Sequence, residues 1–159
     1  MKAKSPLLAF LLSCIVNALL YAQNPVTPDL SGTWKLNLEK SKLPKGANVH
    51  SETLVITCSG VSIQIHHTTD GRESTETYTA DGKERTIRQV HGGEVVSKAH
   101  WKGSVLTTET SARLKLPDQP LFNGTNVIHT KERWRLSSDG RVLTVELDDP
   151  KRVSVYDKH

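Results

Sequence analysis

Glu76, Glu132 and seven histidines are the residues of this 159-residue chain best suited to chemistry. Glu132 shares strand parity with Ile128, Trp134 and Leu136, and Glu76 with Tyr78, so both carboxyls are expected to face an interior. A buried carboxylate is costly unless hydrogen-bonded or paired, which makes these two positions candidates for acid–base work or for anchoring a ligand. The histidines (His50, His66, His67, His91, His100, His129 and His159) lack the spacing of a metal site. His66 and His67 are neighbours that point to opposite faces of one strand, and the others fall on separate segments, so neither metal nor haem is expected. There is no Gly-x-Ser-x-Gly elbow and no glycine-rich phosphate loop, the usual marks of serine hydrolases and nucleotide-binding enzymes. Cys58 follows Leu54 and Ile56 at period two and reads as a small buried hydrophobe rather than a reactive thiol. No catalytic residue and no cofactor is therefore expected. Tyr78, Trp101, Glu132 and Trp134 instead combine aromatic walls with a polar anchor, and are expected to line a ligand-binding cavity.

Short strands must hold these residues. Trp34, Leu36 and Leu38 alternate with Thr33, Lys35 and Asn37, which puts one apolar face toward a core. Further runs follow at residues 53–58, 61–68, 74–79, 84–90, 94–101, 105–111, 127–136, 141–147 and 152–157. Ser59-Gly60, Asp70-Gly71, Asp81-Gly82, Gly92-Gly93 and Asp139-Gly140 punctuate them with residues that tolerate positive φ. No window carries a sustained helical repeat, although residues 38–45 have room for one short helical turn. About ten strands in succession expose two edges unless the sheet closes on itself, so an all-β, antiparallel up-and-down barrel of roughly eight to ten strands is expected, the first strand pairing with the last.

The ends and the charge set further bounds. Lys2 and Lys4 precede an apolar run over residues 7–20, after which the chain turns polar at Gln23-Asn24-Pro25. This is the pattern of a signal peptide over residues 1–22, followed by an extended lead-in over 23–30 and a single domain over 31–159. The apolar run is too short to span a bilayer, so no integral membrane segment is expected. The expected location is periplasmic or secreted. A rival reading takes Leu11-Leu12-Ser13-Cys14 as a lipobox, with Cys14 carrying a lipid anchor. Of 21 basic residues the leader takes Lys2 and Lys4, leaving 19 against 17 acidic ones, and these are interleaved rather than clustered, so no nucleic-acid partner is expected.

The opening Ser31-Gly32-Thr33-Trp34-Lys35-Leu36 resembles the Gly-x-Trp signature of calycins, the group that includes lipocalins and fatty-acid-binding proteins. The wider pattern, GTWKLNLEKSKL followed by SETLVI, then SSDGRVLTVE and VSVYDKH, resembles exported lipocalin-like bacterial proteins of unassigned function. The resemblance covers residues 30–159 and implies that Gly32 and Trp34 form a structural signature at a closed barrel end, with a basic residue of the final strand, Arg152 or Lys158, over the indole. Two departures stand out. Only residues 39–50 join the first two runs, too few for the helical pair of fatty-acid-binding proteins, and Ser154-Val155-Tyr156 replaces their ligand-reading Arg-x-Tyr.

Three functions are compatible with this reading. The first is an exported, non-enzymatic carrier of a small apolar or amphipathic ligand. The second is an envelope interaction module that meets a protein partner through Leu114, Leu116, Leu121 and Phe122, in the long connection over residues 112–126. The third is a barrel enzyme acting on a lipophilic substrate through Glu132 or a histidine.

Overall fold

The computed structural model describes residues 27–90, 93–114 and 126–159. Ten strands follow in order: β1 (Gly32–Leu36), β2 (Glu52–Ser59), β3 (Ser62–Thr69), β4 (Arg72–Thr79), β5 (Asp81–Val90), β6 (Gly93–Lys102), β7 (Val105–Leu114), β8 (Asn126–Leu136), β9 (Val142–Leu147) and β10 (Arg152–Lys158). They form one antiparallel sheet in the order β4-β3-β2-β1-β10-β9-β8-β7-β6-β5. The first and last strands pair as expected, with Trp34 opposite Lys158 and Leu36 opposite Tyr156. The protein is thus an all-β up-and-down barrel, and no helix occurs among the described residues. The segment with room for a helical turn holds ordinary turns, and Lys42 bridges to Val153 instead.

Local chemistry explains the hairpins. Asp70 (φ 47°) and Gly71 (φ 79°) both sit in the left-handed region, as the tightest two-residue hairpin demands, and the Asp70 carboxylate accepts hydrogen bonds from the His50 and Ser51 amides. The β2–β3 hairpin turns one residue later than the sequence suggested, through Gly60 and Val61, because Ser59 already pairs with Ser62.

Closure is incomplete, contrary to the expectation that the barrel abolishes its edges. Among the described residues β4 hydrogen-bonds only to β3, and β5 only to β6, which leaves a seam between them. Asp81-Gly82 therefore makes no hairpin. Gly82 (φ 77°) sits where the β5–β6 register shifts, and a second shift follows between Thr86 and Arg88. Bulges and exposed charges along β5 (Lys83, Arg85, Arg88) are the devices that keep an open edge from pairing with another chain.

The core lies on the inward parity of the strands: Trp34, Leu54, Ile56, Ile63, Ile65, Tyr78, Ala99, Leu106, Trp134, Leu143, Val145 and Tyr156. Leu38 is not among them. The strand ends at Leu36 and the chain turns, so Leu38 is 45% exposed. Leu30, in the lead-in, is fully buried instead. It is drawn under the barrel because its carbonyl accepts the Trp34 indole N–H at 2.9 Å.

Candidate functional site

Two ends of the barrel interior have different chemistry. At the first, where β1 begins and β10 ends, Trp34 is fully buried and Lys158 lies over its ring, 5.1 Å from the centroid. The cation over the indole is thus Lys158 and not Arg152. Lys158 is Trp34's cross-strand partner, whereas Arg152 starts the same strand, six residues away. Gly32 serves this packing directly. Its φ is 139°, and a Cβ there would sit 3.0 Å from the Lys158 Cε. Trp101 belongs to this end as well, in a shallow recess with Thr27, Pro28, Asp29, Cys58, Gly60 and Ile63. Cys58 is partly buried against the core, as its parity predicted.

Toward the other end the interior holds a cavity of about 200 Å³, lined by Glu52, His67, Glu76, Tyr78, Thr110, Thr130, Glu132, Trp134, Val145, Arg152 and Tyr156. Alternation puts these side chains on the inner face, and register brings them within reach of one another. Glu132 pairs with Leu147 and Leu147 with Arg152, so two strand spacings of about 4.8 Å separate Glu132 from Arg152, a span that the long arginine side chain crosses. Its Nη2 reaches within 3.7 Å of the Glu132 Oε1, an ion pair too long to be a hydrogen bond.

The three luminal carboxylates are held differently. Glu52 is well supported: Tyr156 donates its phenol O–H to Oε2 at 2.8 Å, Thr69 donates to Oε1 at 3.3 Å, and the His67 Nδ1 lies 3.5 Å from Oε1. Burial alone would raise its pKa, but the hydrogen bonds from His67 and Tyr156, with the charge of Arg152, outweigh burial and hold the carboxyl below the usual glutamate range. Glu76 accepts a 2.5 Å hydrogen bond from the Tyr78 phenol. Glu132 has the least support. Burial pushes its carboxyl above the usual range, Arg152 opposes that only in part, and Glu76 and Glu52 push it further up. Burial also raises both phenols, with Glu76 beside Tyr78 and Glu52 beside Tyr156 adding to it, so each tyrosine remains a protonated donor. Two fully buried donors on residues that line the cavity, the Trp134 indole N–H and the Arg152 Nε, have no hydrogen-bond partner among the described residues.

Of the residues expected to line a cavity, Tyr78, Glu132 and Trp134 come together here, while Trp101 lies elsewhere. Glu76 faces inward as its parity implied. Sequence reasoning missed Glu52, His67 and Tyr156, and considered Arg152 only as an alternative to Lys158 over Trp34. Period-two alternation marks all four: Glu52 continues the inward series of Leu54, Ile56 and Cys58, His67 that of Ile63 and Ile65, and Arg152 and Tyr156 flank the buried Ser154. His66 points outward and pairs with Thr75. Among the described residues no three His, Cys, Asp or Glu side chains converge to hold a metal ion. Leu116, Leu121, Phe122 and the side chain of Leu114 lie outside the described residues, as do His91 and Cys14.

Neither a protein-family model nor a curated protein sequence matches this chain. Solved structures do. A REP1-NXSQ fatty acid transporter superposes with a TM-score of 0.58 at 16% sequence identity, covering 82% of this chain and 96% of that one. A tyrosine-to-phenylalanine mutant of the same transporter gives the same score and identity, covering 82% of this chain and 98% of its own. At this identity the likeness establishes the barrel fold.

Proposed function

We propose that this chain is an exported, non-enzymatic carrier that holds one small amphipathic molecule in its barrel, with Tyr78, Glu132, Trp134, Glu76 and Arg152 around the guest. The observation that carries the reading is the half-filled interior. A barrel serving only as scaffold gains from packing apolar side chains throughout, yet here one half encloses about 200 Å³ ringed by buried polar groups, two of them unpartnered. Aromatic and aliphatic walls with a few convergent polar anchors are the usual make-up of a small-molecule site. The volume falls short of the roughly 300–1,000 Å³ typical for drug-sized ligands, so the guest is small, or only its head enters and the rest trails from the mouth. Exposed Ile128, on the inward parity of β8 beyond Thr130, offers an apolar rim for such a tail. The barrel's likeness to fatty acid transporters supports a lipophilic guest. The signal-like leader over residues 1–22 supports export to the periplasm or beyond, where a carrier would meet envelope lipids.

Native mass spectrometry of the chain from Gln23, incubated with a cell-envelope lipid extract, tests the proposal. A discrete adduct that survives native spraying and vanishes on denaturation is expected, and its mass identifies the guest. A bare protein mass throughout would reject the carrier in favour of an interaction module built on the connection between β7 and β8.

A further inference from the structure

The two strands that border the seam are unlike. β5 is shielded by its register shifts and by Lys83, Arg85 and Arg88. β4 is regular: its pairing with β3 runs unbroken from Arg72 to Thr79, it holds neither lysine nor proline, and threonine fills positions 75, 77 and 79. Hydrogen-bond alternation fixes which of its backbone groups are left over. The Ala80 amide donates to the Val61 carbonyl at 2.7 Å, and hydrogen-bonded pairs recur at every second residue, so Tyr78, Glu76, Ser74 and Arg72 turn their backbone groups to β3. The N–H and C=O groups of Glu73, Thr75 and Thr77 therefore point away from β3, into the seam, where no described strand receives them. Such a row is a template for a further antiparallel strand. Connectivity limits its length. β4 and β5 are tied at Ala80 and Tyr78 beside the tie is buried, whereas Arg72, Glu73, Ser74 and Thr75 are exposed in succession, so the edge is open over its first half.

We infer that this edge joins a second copy of the chain, β4 against β4, with Ser74 on the twofold axis and Arg72 opposite Glu76 of the partner subunit. Charge complementarity singles out that occupant and that register. A twofold axis perpendicular to the sheet keeps inward residues opposite inward ones, so it passes through a residue rather than between two. On Ser74, it sets Arg72 across from a carboxylate, repeats the pair by symmetry, and leaves Glu73 facing a threonine. On Glu73 or Glu76 it would set two carboxylates face to face, and on Thr75 it would leave Arg72 opposite a tyrosine. Both charges are available. Arg72 is exposed and pairs with no carboxylate among the described residues, and Glu76 is held by the neutral phenol of Tyr78. The Ser74 register also ends the added strand opposite Glu76, before the tie at Ala80 closes the seam.

Sedimentation equilibrium of the mature chain from Gln23, with no guest added, tests the inference apart from the carrier reading. A reversible monomer–dimer equilibrium is expected. Thr75→Pro removes an edge N–H that β3 does not use, so the barrel should persist by circular dichroism while the dimer weakens at least about tenfold. Arg72→Glu, at an exposed position, should also weaken it about tenfold by setting two carboxylates opposite each other. Cross-linking reads the register itself. In a Cys58→Ala background, Ser74→Cys should yield a disulfide-linked dimer when copper phenanthroline oxidises the two thiols, because Cα atoms of a non-hydrogen-bonded pair lie about 4.5 Å apart. Thr77→Cys, on the same edge but off the axis, should not. A monomer at every concentration, a dimer indifferent to both substitutions, or equal cross-linking at the two cysteine positions would overturn the inference and leave the carrier standing.

Discussion

The two ends of the barrel are built from the same strands and the same alternation, yet one is packed to hold the molecule together and the other is left open and charged. Trp34 belongs to an apolar cluster: the Leu30 carbonyl accepts its indole N–H, Leu54 stands opposite, Leu143 on β9 and Leu106 on β7 complete the apolar set, and Lys158 lies over the ring. Each fully buried leucine there contributes about 1.5–3 kcal/mol. Around Glu132, the inward positions carry carboxylates, phenols, an imidazole and a guanidinium, groups that contribute to stability only where every polar atom is satisfied. Glu52 meets that condition and Glu132 does not. The contrast is that of a stability end and a functional end, the second carrying an electrostatic penalty that an apolar filling would not.

Substitutions at each end test this contrast. The largest effect is expected from Trp34→Ala, which removes a fully buried indole and should cost about 3–5 kcal/mol by urea denaturation. A loss well under that range would mean that the closed end is not the stabilising one. Tyr156→Phe comes next, at about 1–3 kcal/mol at neutral pH, because Glu52 loses its shortest donor. Here the pH dependence has a definite sign. Glu52 titrates below its ordinary 4.5, so it stabilises the fold above that value and the contribution is lost as pH falls through its folded pKa. In Tyr156→Phe that acid-side loss should shrink, which denaturation midpoints between pH 7 and 3 would reveal.

Smaller changes probe each end more finely. Lys158→Met should lower stability by roughly 0.5 kcal/mol, the low end for an exposed cation over an indole, and should leave ligand affinity untouched. Glu132→Gln should do the opposite and raise the midpoint at pH 7. The Glu132 carboxyl titrates above its ordinary value, so its protonated form favours the fold below the unfolded pKa, and that contribution is lost as pH rises through the folded pKa. The gain from glutamine should therefore fade toward pH 4, by thermal melts at both values. A loss of stability at pH 7 in this variant would show that the Arg152 pair outweighs burial and that the charged end is structural after all.

Much of the architecture was legible in the residues. Alternation marked all ten strands; it underestimated β7, which runs on to Leu114, and overran β1, which ends at Leu36. The seam beside β5 was not legible, because Asp81-Gly82 has the same local chemistry as the hairpin at Asp70-Gly71. Only the missing partner strand makes it a bulge. The candidate site was half legible: of the four residues expected to line one cavity, Tyr78, Glu132 and Trp134 share it, whereas Trp101 lines a separate recess.

The separation of Trp101 from Trp134 marks the division between sequence and structure. Period two fixes whether a side chain points into the barrel or out, and on that criterion Trp101 and Trp134 are equivalent. Trp101 pairs with Leu106 and Leu106 with Trp134, a single row of cross-strand partners. Strands in a barrel tilt by about 35–45°, so such a row climbs the cylinder as it passes from strand to strand, and its members reach different heights. Lys158, over Trp34, and Arg152, in the polar cavity, also both point inward, but they are held apart by the six residues between them along β10. The radial direction of each side chain can be read from residue order, because alternation is a property of one strand. Relative height between strands emerges with the assembled sheet, because it depends on the registers between strands, and those are set by hydrogen bonds between residues far apart in the chain.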